Sequence, residues 1–395
     1  MILLDFPYVS DFLKDTIVSN KIPVIATAEA KTIMHDQDVN WLCEMEAREI
    51  FKANPTQKLY SNSENSISWV HKHLPNSPKA NLIEVFKNKF KFRKLIQDTY
   101  PSYFFQRVTF DSLEQFDLSE VSFPFIIKPA VGFFSLAVFK VDRKEDWADT
   151  VFQIQETVSK IQDMYPSEVV DNTEFILESY IKGDEYAFDC YFNEEGNPVV
   201  LNILKHLFAS ESDVSDRVYC TSEEIFQEMY EPIMSFLKMV GSKVDLQNFP
   251  LHIEIRKTAS GEIIPIEVNP MRFGGWCTTG DLAWFAYGIN SYQYFLDGKK
   301  PNWEDIFATR KNKIFSLILL DNQAKVKQED FAGFDYEAIC QDFEEVIHVR
   351  KHPLNHFGVF GFLFTSTSKG NEKELYTILH SDLTKYIRLQ DAVIG

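Results

Sequence analysis

Apolar and polar positions change rhythm several times along the chain. Over residues 1 to about 85, short apolar runs of β type (MILLDF, IPVIAT, QKLYSN) alternate with runs at helical spacing (SDFLKDTIVSN, WLCEMEAREIFK, SISWVHKHL). That is the rhythm of a small parallel βα domain. Its first turn lacks GxGxxG, which argues against dinucleotide binding there. Residues 86–98, FKNKFKFRKLIQD, predict a helix with Phe86, Phe90 and Ile96 on an apolar side, and the row Lys87, Lys89, Lys91, Arg93, Lys94 reads as a solvated face.

From about 121 the pattern turns to strands (FPFIIK, LAVFKV, EFILESYI, YAFDCYF, PVVLNIL), interrupted by an amphipathic helix near 145–162. Residues 205–222, KHLFASESDVSDRVYCTS, show no clean period and are expected to form a long loop. A helix at about 222–241, a β-hairpin in LHIEIRKTASGEIIPIEVNP and helical sequence around 281–297 follow. DGKKPNWED reads as a linker. The segment from about 311 to 395 has two strand runs, KIFSLILLD and FGVFGFLFTS, and a closing helix NEKELYTILHSDLTKYI. The expected fold class is mixed α/β and α+β, divided at 1–85, 86–200, 201–305 and 306–395.

Length and charge narrow the function. A chain of 395 residues exceeds what one core usually supports, and 45% apolar residues, with 35 Phe and 16 Tyr, exclude a disordered chain. A net charge of −18 and no basic stripe argue against nucleic-acid binding. The N-terminal MILLDFPYVSDF lacks a basic n-region, and no apolar run approaches the roughly 18 residues of a membrane span. Five widely spaced cysteines without a CxxC pair suit a reducing compartment, so a cytoplasmic protein is expected.

The hairpin carries the sharpest chemistry. Alternation in LHIEIRK puts His252, Glu254 and Arg256 on one face, and IIPIEVN puts Glu267 with Asn269. A two-residue turn at Ser260–Gly261 would set Glu254 opposite Glu267 and His252 opposite Asn269. Like charges facing each other destabilise a sheet, so these oxygens imply a hard cation, Mg2+ or Mn2+, between them. The competing reading is a solvated face with both glutamates in water. Lys128 ends the apolar run FPFIIK, where a buried ammonium needs an anionic partner such as a phosphate; the competing reading is a lysine snorkelling out at the strand end.

Taken together, the Lys89 helix, FIIKPAVGFFSLAV, ILESYIKGDEYAFD, HIEIR and PIEVNPMRFGG resemble the ATP-grasp superfamily over roughly residues 86–300. The whole layout resembles its carboxylate–amine ligase branch: L-amino-acid ligases, D-alanine ligases and biotin carboxylase. The resemblance implies a βα domain (1–85), ATP-grasp lobes at 86–200 and 201–305, and a C-terminal lobe (306–395). It implies that Lys89 and Lys128 contact nucleotide phosphates, with Ser135 in the covering loop. Glu178, Tyr180 and Ile181 would form the adenine linker, and Glu185 would accept the ribose hydroxyls. Glu254, Glu267 and Asn269 would bind Mg2+ or Mn2+, and Arg272 would act with Lys128 on the transferred phosphoryl group. The covering loop departs from the family pattern, keeping only Gly132 and Ser135 around Phe133 and Phe134.

The implied activity is an ATP-dependent ligation of a small-molecule carboxylate to an amine through an acyl phosphate. A phosphotransferase on the same scaffold and a non-catalytic ATP-binding protein are the alternatives. The loop at 205–222, with Lys205, His206 and Arg217, is expected to meet substrate, and His252 to meet substrate or phosphate. Cys277 reads as a packed side chain and not a nucleophile. His348, His352 and His356 have helical metal spacing, but Pro353 and the strand-like FGVFGFLF oppose it. A homodimer is left open.

Overall fold

The computed structural model describes residues 1–35, 37–131, 138–162, 174–210, 213, 215–352, 354 and 358–390. The N-terminal domain is a parallel sheet in the order Trp41–Leu42, Val24–Ile25, Ile2–Leu3, Tyr60–Ser61. Its helices start where the sequence supplies caps. The Ser10 side chain accepts from Leu13 N ahead of Asp11–Ser19, and Cys43 with Glu46 closes a capping box ahead of Glu44–Ala53. That box explains why WLCEMEAREIFK is not helical throughout: its first two residues are a strand.

The basic stretch forms two helices, Pro78–Lys87 and Lys89–Ile96. Asn88 ends the first and caps the second, its side chain accepting from Lys91 N at 3.0 Å. A second sheet has the order Phe105–Thr109, Glu174–Ser179, Phe125–Pro129, Phe139–Val141, and the helix Trp147–Gln162 covers it. Val108, Phe125, Ile127, Trp147, Ile154, Phe175 and Leu177 make its separate core.

The largest element is an eight-stranded sheet. From one edge it runs Ile263–Pro270, Phe249–Lys257, Asp184–Phe192, Pro198–Leu207, Val218–Thr221, Lys313–Asp321, Val359–Ser368, Val346–Lys351. The helix Glu223–Lys243 packs on one face through Phe226, Met229, Ile233 and Leu237. One core joins this sheet to the N-terminal domain, and it also takes Phe86, Phe92 and Ile96. The first small-sheet strand therefore begins at Phe105, and sheet membership changes between Ser179 and Asp184. The boundary expected at 200 falls inside the strand Pro198–Leu207, and the boundary at 305 separates strands of one continuous sheet.

Three further expectations change. The loop of 205–222 shrinks, because strands run to Leu207 and from Val218 to Thr221. The expected linker holds the helix Trp303–Ala308. The closing helix is only Lys373–Leu379, followed by a 3-10 turn and the strand Ile387–Leu389. His348 lies on the strand Val346–Lys351, in agreement with the reading against a histidine helix, and His356 lies outside the described residues.

The linker between the sheets crosses close to the hairpin. At Gly183, φ +157°, an added Cβ would lie 2.1 Å from the Lys257 carbonyl oxygen. Only glycine fits that crossing.

Candidate active site

In the hairpin, Glu254 pairs with Glu267 and His252 with Asn269, as expected. The route differs from the expected two-residue turn. Thr258 N donates to Glu262 O and Gly261 N to Thr258 O, enclosing the three-residue loop Ala259–Ser260–Gly261 with Gly261 at φ +85°. That shifts the register by one residue from Lys257↔Ile263 to Ile255↔Pro265. A bulge at Ile266 shifts it back before Glu267. The Ile266 carbonyl accepts from Arg93 Nη2 at 3.1 Å.

The facing carboxylates differ in electrostatics. Burial and the opposite Glu267 raise the pKa of Glu254, whereas Lys89 outweighs burial and holds Glu267 well below the carboxylate range. Lys89 Nζ lies 2.8 Å from Glu267 Oε1. Among the described residues no three His, Cys, Asp or Glu side chains cluster as a metal site. The donor set is two carboxylates and the Asn269 amide, all oxygen, which fits a hard divalent cation.

Beside it is a buried ion cluster. Glu178, 3% exposed, holds Lys128 at 2.5 Å through Oε1 and Arg93 Nε at 2.9 Å through Oε2. Burial opposes charge on Glu178, but Arg93 and Lys128 prevail and bring its pKa down to about 2; burial lowers that of Lys128. Lys128 is thus a buried, paired lysine and does not snorkel. Arg93 was expected on a solvated face. It lies one helical turn after Lys89, and both side chains turn inward. Arg272 is held by Glu64 of the N-terminal domain, with Nη2 2.6 Å from Oε1, and Lys87 takes the other Glu64 oxygen. Burial works against the Glu64 charge, yet Arg272 and Lys87 take its pKa to about 2.

On the linker side, Glu185 Oε1 is 3.0 Å from His206 Nδ1, and Oε2 accepts from Arg256 Nε at 3.0 Å. His206 Nε2 meets the Ser215 carbonyl at 2.9 Å, and the ring stacks on Tyr219 at 4.2 Å. Both partners are acceptors, so both ring nitrogens donate and the imidazole is charged. Accordingly its pKa is raised: burial lowers it, but the hydrogen bond and charge of Glu185 dominate. Arg256 Nη1 donates to the Ile181 carbonyl at 2.8 Å, and its guanidinium lies 5.6 Å from the Tyr180 ring centroid. A cavity of about 200 Å³ adjoins this linker, lined by Tyr103, Ser179, Tyr180, Ile181 and Ile264 among others.

His252 is buried against Asp189, Nδ1 to Oδ1 at 2.8 Å, with Nε2 3.7 Å from Glu254. Burial disfavours its charge, but Asp189 and Glu254 prevail and lift its pKa to about 9. Asp189 also accepts from Gly274 N, Asn202 Nδ2 and Thr279 Oγ1 at 3.0, 2.6 and 2.5 Å. It thus ties the strand of His252 and Glu254 to the loop after Arg272.

Arg217 does not join the site, contrary to expectation. It is fully buried, donates through Nε to Asp321 at 2.9 Å and through Nη1 to the Ile378 and Ser381 carbonyls, and so fastens the C-terminal lobe. Lys205 pairs with Asp184. Ser135, with Gly132, Phe133 and Phe134, lies outside the described residues. Cys277 is buried and its thiol pKa is pushed up to about 11 by burial, which suits a packed side chain. Glu64, Lys87, Arg93, Asp189 and Arg256 were missed as site residues. The Lys89–Arg93 helical spacing and the Glu254–Arg256 alternation were the available signals.

Residues 121–280 match the family described as ATP-grasp domain. The fold resembles that of an L-amino acid ligase from Bacillus licheniformis, with TM-score 0.68 and 20% identity over 99% of this chain and 98% of that one. It also resembles an N5-carboxyaminoimidazole ribonucleotide synthetase from Thermotoga maritima, TM-score 0.63 and 14% identity, covering 99% of each chain. A Campylobacter jejuni biotin carboxylase, in a complex with βγ-ATP, has TM-score 0.63 and 11% identity over 98% of this chain and 91% of that one. No curated protein sequence matches. Residues 121–280 thus match an ATP-grasp domain, and over its full length the chain shares the mixed α/β fold of these structures. Among the described residues, no helix is long and apolar enough to cross a membrane.

Proposed function

We propose that the protein is an ATP-dependent carboxylate–amine ligase. The observation that carries this reading is the opposed pair Glu254 and Glu267 with Asn269, beside the positive charges of Lys89 and Lys128 from two other segments and of Arg272 just past the hairpin. Bound at those oxygens, Mg2+ would neutralise β- and γ-phosphate charge. On nucleotide binding Lys89 exchanges Glu267 for phosphate oxygens, and Lys128 adds a second positive charge from its Glu178 anchor. A substrate carboxylate oxygen attacks the γ-phosphorus, the bond to the bridging oxygen breaks, and ADP leaves. Arg272, held by Glu64, steadies the resulting acyl phosphate. An amine then attacks the acyl carbon, loses a proton, and phosphate departs to leave an amide. The chain's residues position and neutralise; no covalent nucleophile takes part.

The reading is supported by the oxygen-only ligand set, by the buried lysine pair, and by likeness in fold to an L-amino acid ligase, an N5-carboxyaminoimidazole ribonucleotide synthetase and a biotin carboxylase. The test is ADP release from ATP and Mg2+ across amino acids, singly and in pairs, with Glu267→Gln as control and mass spectrometry of the products. Stimulated ADP release, abolished by the substitution and accompanied by a condensed product, is expected. A phosphorylated product with no condensation would replace the ligase by a phosphotransferase, and failure to bind ATP would remove the reading.

A further inference from the structure

The turn that follows Arg272 holds a conformation its own residues disfavour. Between Gly274 and the helix Thr278–Tyr287, Trp276 and Cys277 stand at φ 57° and 59°. Both carry a Cβ, which crowds the carbonyl in that left-handed region. Two such residues in succession persist only where their surroundings over-determine them, and residues of this kind gather at functional sites. Asp189, on the strand Asp184–Phe192 and fully buried, accepts from Gly274 N at 3.0 Å and from Thr279 Oγ1 at 2.5 Å, the two ends of the turn. Gly274 N also donates to Thr279 Oγ1 at 2.7 Å, and a Cβ on Gly274 would lie 2.3 Å from that side chain, so only glycine lets the ends meet. A bulge beside Asn202 aims its amide at Asp189 Oδ2, 2.6 Å away, and at the Thr279 carbonyl, 3.0 Å away. From the C-terminal lobe, Arg350 Nη1 donates to the Trp276 carbonyl at 2.7 Å.

With His252 Nδ1 as the fourth donor, Asp189 fills the roughly four lone-pair positions of one carboxylate. Apolar side chains would close this part of the sheet without the cost of burying a charge. The carboxylate is therefore explained by what it holds. Arg272 lies just ahead of Gly274, whereas the bonds that hold Glu178, Lys128 and Glu185 include no residue of the turn. We infer that Asp189 is a positioning residue for the substrate side of the site: it pins both ends of the turn Gly274–Thr279 in its left-handed form and thereby sets Arg272 for the acyl phosphate, leaving nucleotide affinity to other residues. The inference rests on the ligase reading and adds to it the group that sets its phosphoryl-stabilising arginine.

The test compares the full chain with Asp189→Asn, Thr279→Val, and Asp189→Asn carrying Cys277→Gly. Thr279→Val cuts the Thr279 end of the turn from Asp189 while the bond from His252 to Asp189 stays, and it keeps the test open if Asp189→Asn does not fold. Melting curves establish folding, calorimetry gives ATP affinity with Mg2+, hydrogen exchange reports on 271–279, and ADP release with the stimulating carboxylate gives kcat and KM. In both single variants exchange at 271–279 is expected to rise about tenfold, kcat to fall about tenfold or more, and ATP affinity to stay within about twofold. Cys277→Gly restores part of the lost kcat, because glycine takes the left-handed conformation without the Cβ penalty. A merely structural Asp189 would lower the melting temperature, leave kcat of the folded variant unchanged and gain nothing from that glycine. Unchanged kcat, unchanged exchange, no recovery by Cys277→Gly, or a loss of ATP affinity as large as the loss of kcat overturns the inference. If no carboxylate stimulates ADP release by the wild-type chain although ATP binds, the ligase reading fails, and exchange at 271–279 alone decides whether Asp189 holds the turn.

Discussion

Replacing Glu178 by Gln tests whether the buried ion cluster is a structural anchor. The carboxylate is 3% exposed between Arg93 and Lys128, and its pKa falls from 4.5 to about 2 on folding. A group with a depressed folded pKa contributes stability that is fully present above its unfolded pKa and is lost as pH drops through the folded one. The shift corresponds to about 3 kcal/mol at neutral pH, lost between roughly pH 4.5 and pH 2. Removing one partner of a buried ion pair costs about 3–5 kcal/mol, so two independent routes give the same scale. In the variant, Lys128 sits beside Arg93 without its carboxylate, and burial already depresses its pKa. The folded state then holds fewer protons than the unfolded one, and stability rises toward alkaline pH. The assay is urea unfolding from pH 2 to 10, with hydrogen exchange of Glu174–Ser179 reporting on the small sheet. A loss under about 1 kcal/mol at pH 7, or a difference between wild type and variant that persists at pH 2, would refute the reasoning.

The other predictions follow from particular contacts. Gly183→Ala forces a Cβ against the Lys257 carbonyl; a loss of about 2 kcal/mol or more, with faster proteolytic cutting at the linker, is expected. Arg217→Ala leaves the Asp321 carboxylate and the Ser381 carbonyl without their donor, costing about 3 kcal/mol in urea unfolding, while the ATP dissociation constant is unchanged. Glu64→Gln releases Arg272 and Lys87, so the melting curve shifts down and ADP formation at saturating ATP, measured where the variant is still folded, should fall about tenfold or more.

What the sequence revealed depended on whether the informative contacts were local. Glu254 opposite Glu267 was legible because alternation and a turn signal act within a few residues. Even so, the expected turn was one residue too short, and the bulge at Ile266 restored the pairing. Nothing in IIPIEVN announces that bulge; its carbonyl is stabilised by Arg93, far away in sequence. Lys128 was legible because an ammonium at an apolar strand end demands a partner, but the partner, Glu178, comes from a neighbouring strand. Arg93 was misread because a basic helix looks solvated until its neighbours are known. Arg217 was misread because a polar segment without periodicity looked like one loop, whereas two strands narrow it and the arginine reaches into the C-terminal core. The shared sheet was hidden, since sequence-distant strands pair edge to edge without a short connection.

That continuous sheet decides where the protein can be cut and recombined. Severing the last ninety or so residues would strip Lys313–Asp321 from Val218–Thr221, bare a row of main-chain donors and acceptors, and take Phe315, Leu317, Phe362 and Phe364 out of the largest core. Such a fragment would be a template for aggregation. The small sheet, with a core of its own, is joined near residue 104 and again at 180–183. Chimeras that exchange nucleotide-side elements should be spliced at those two seams, leaving the C-terminal lobe with its native sheet.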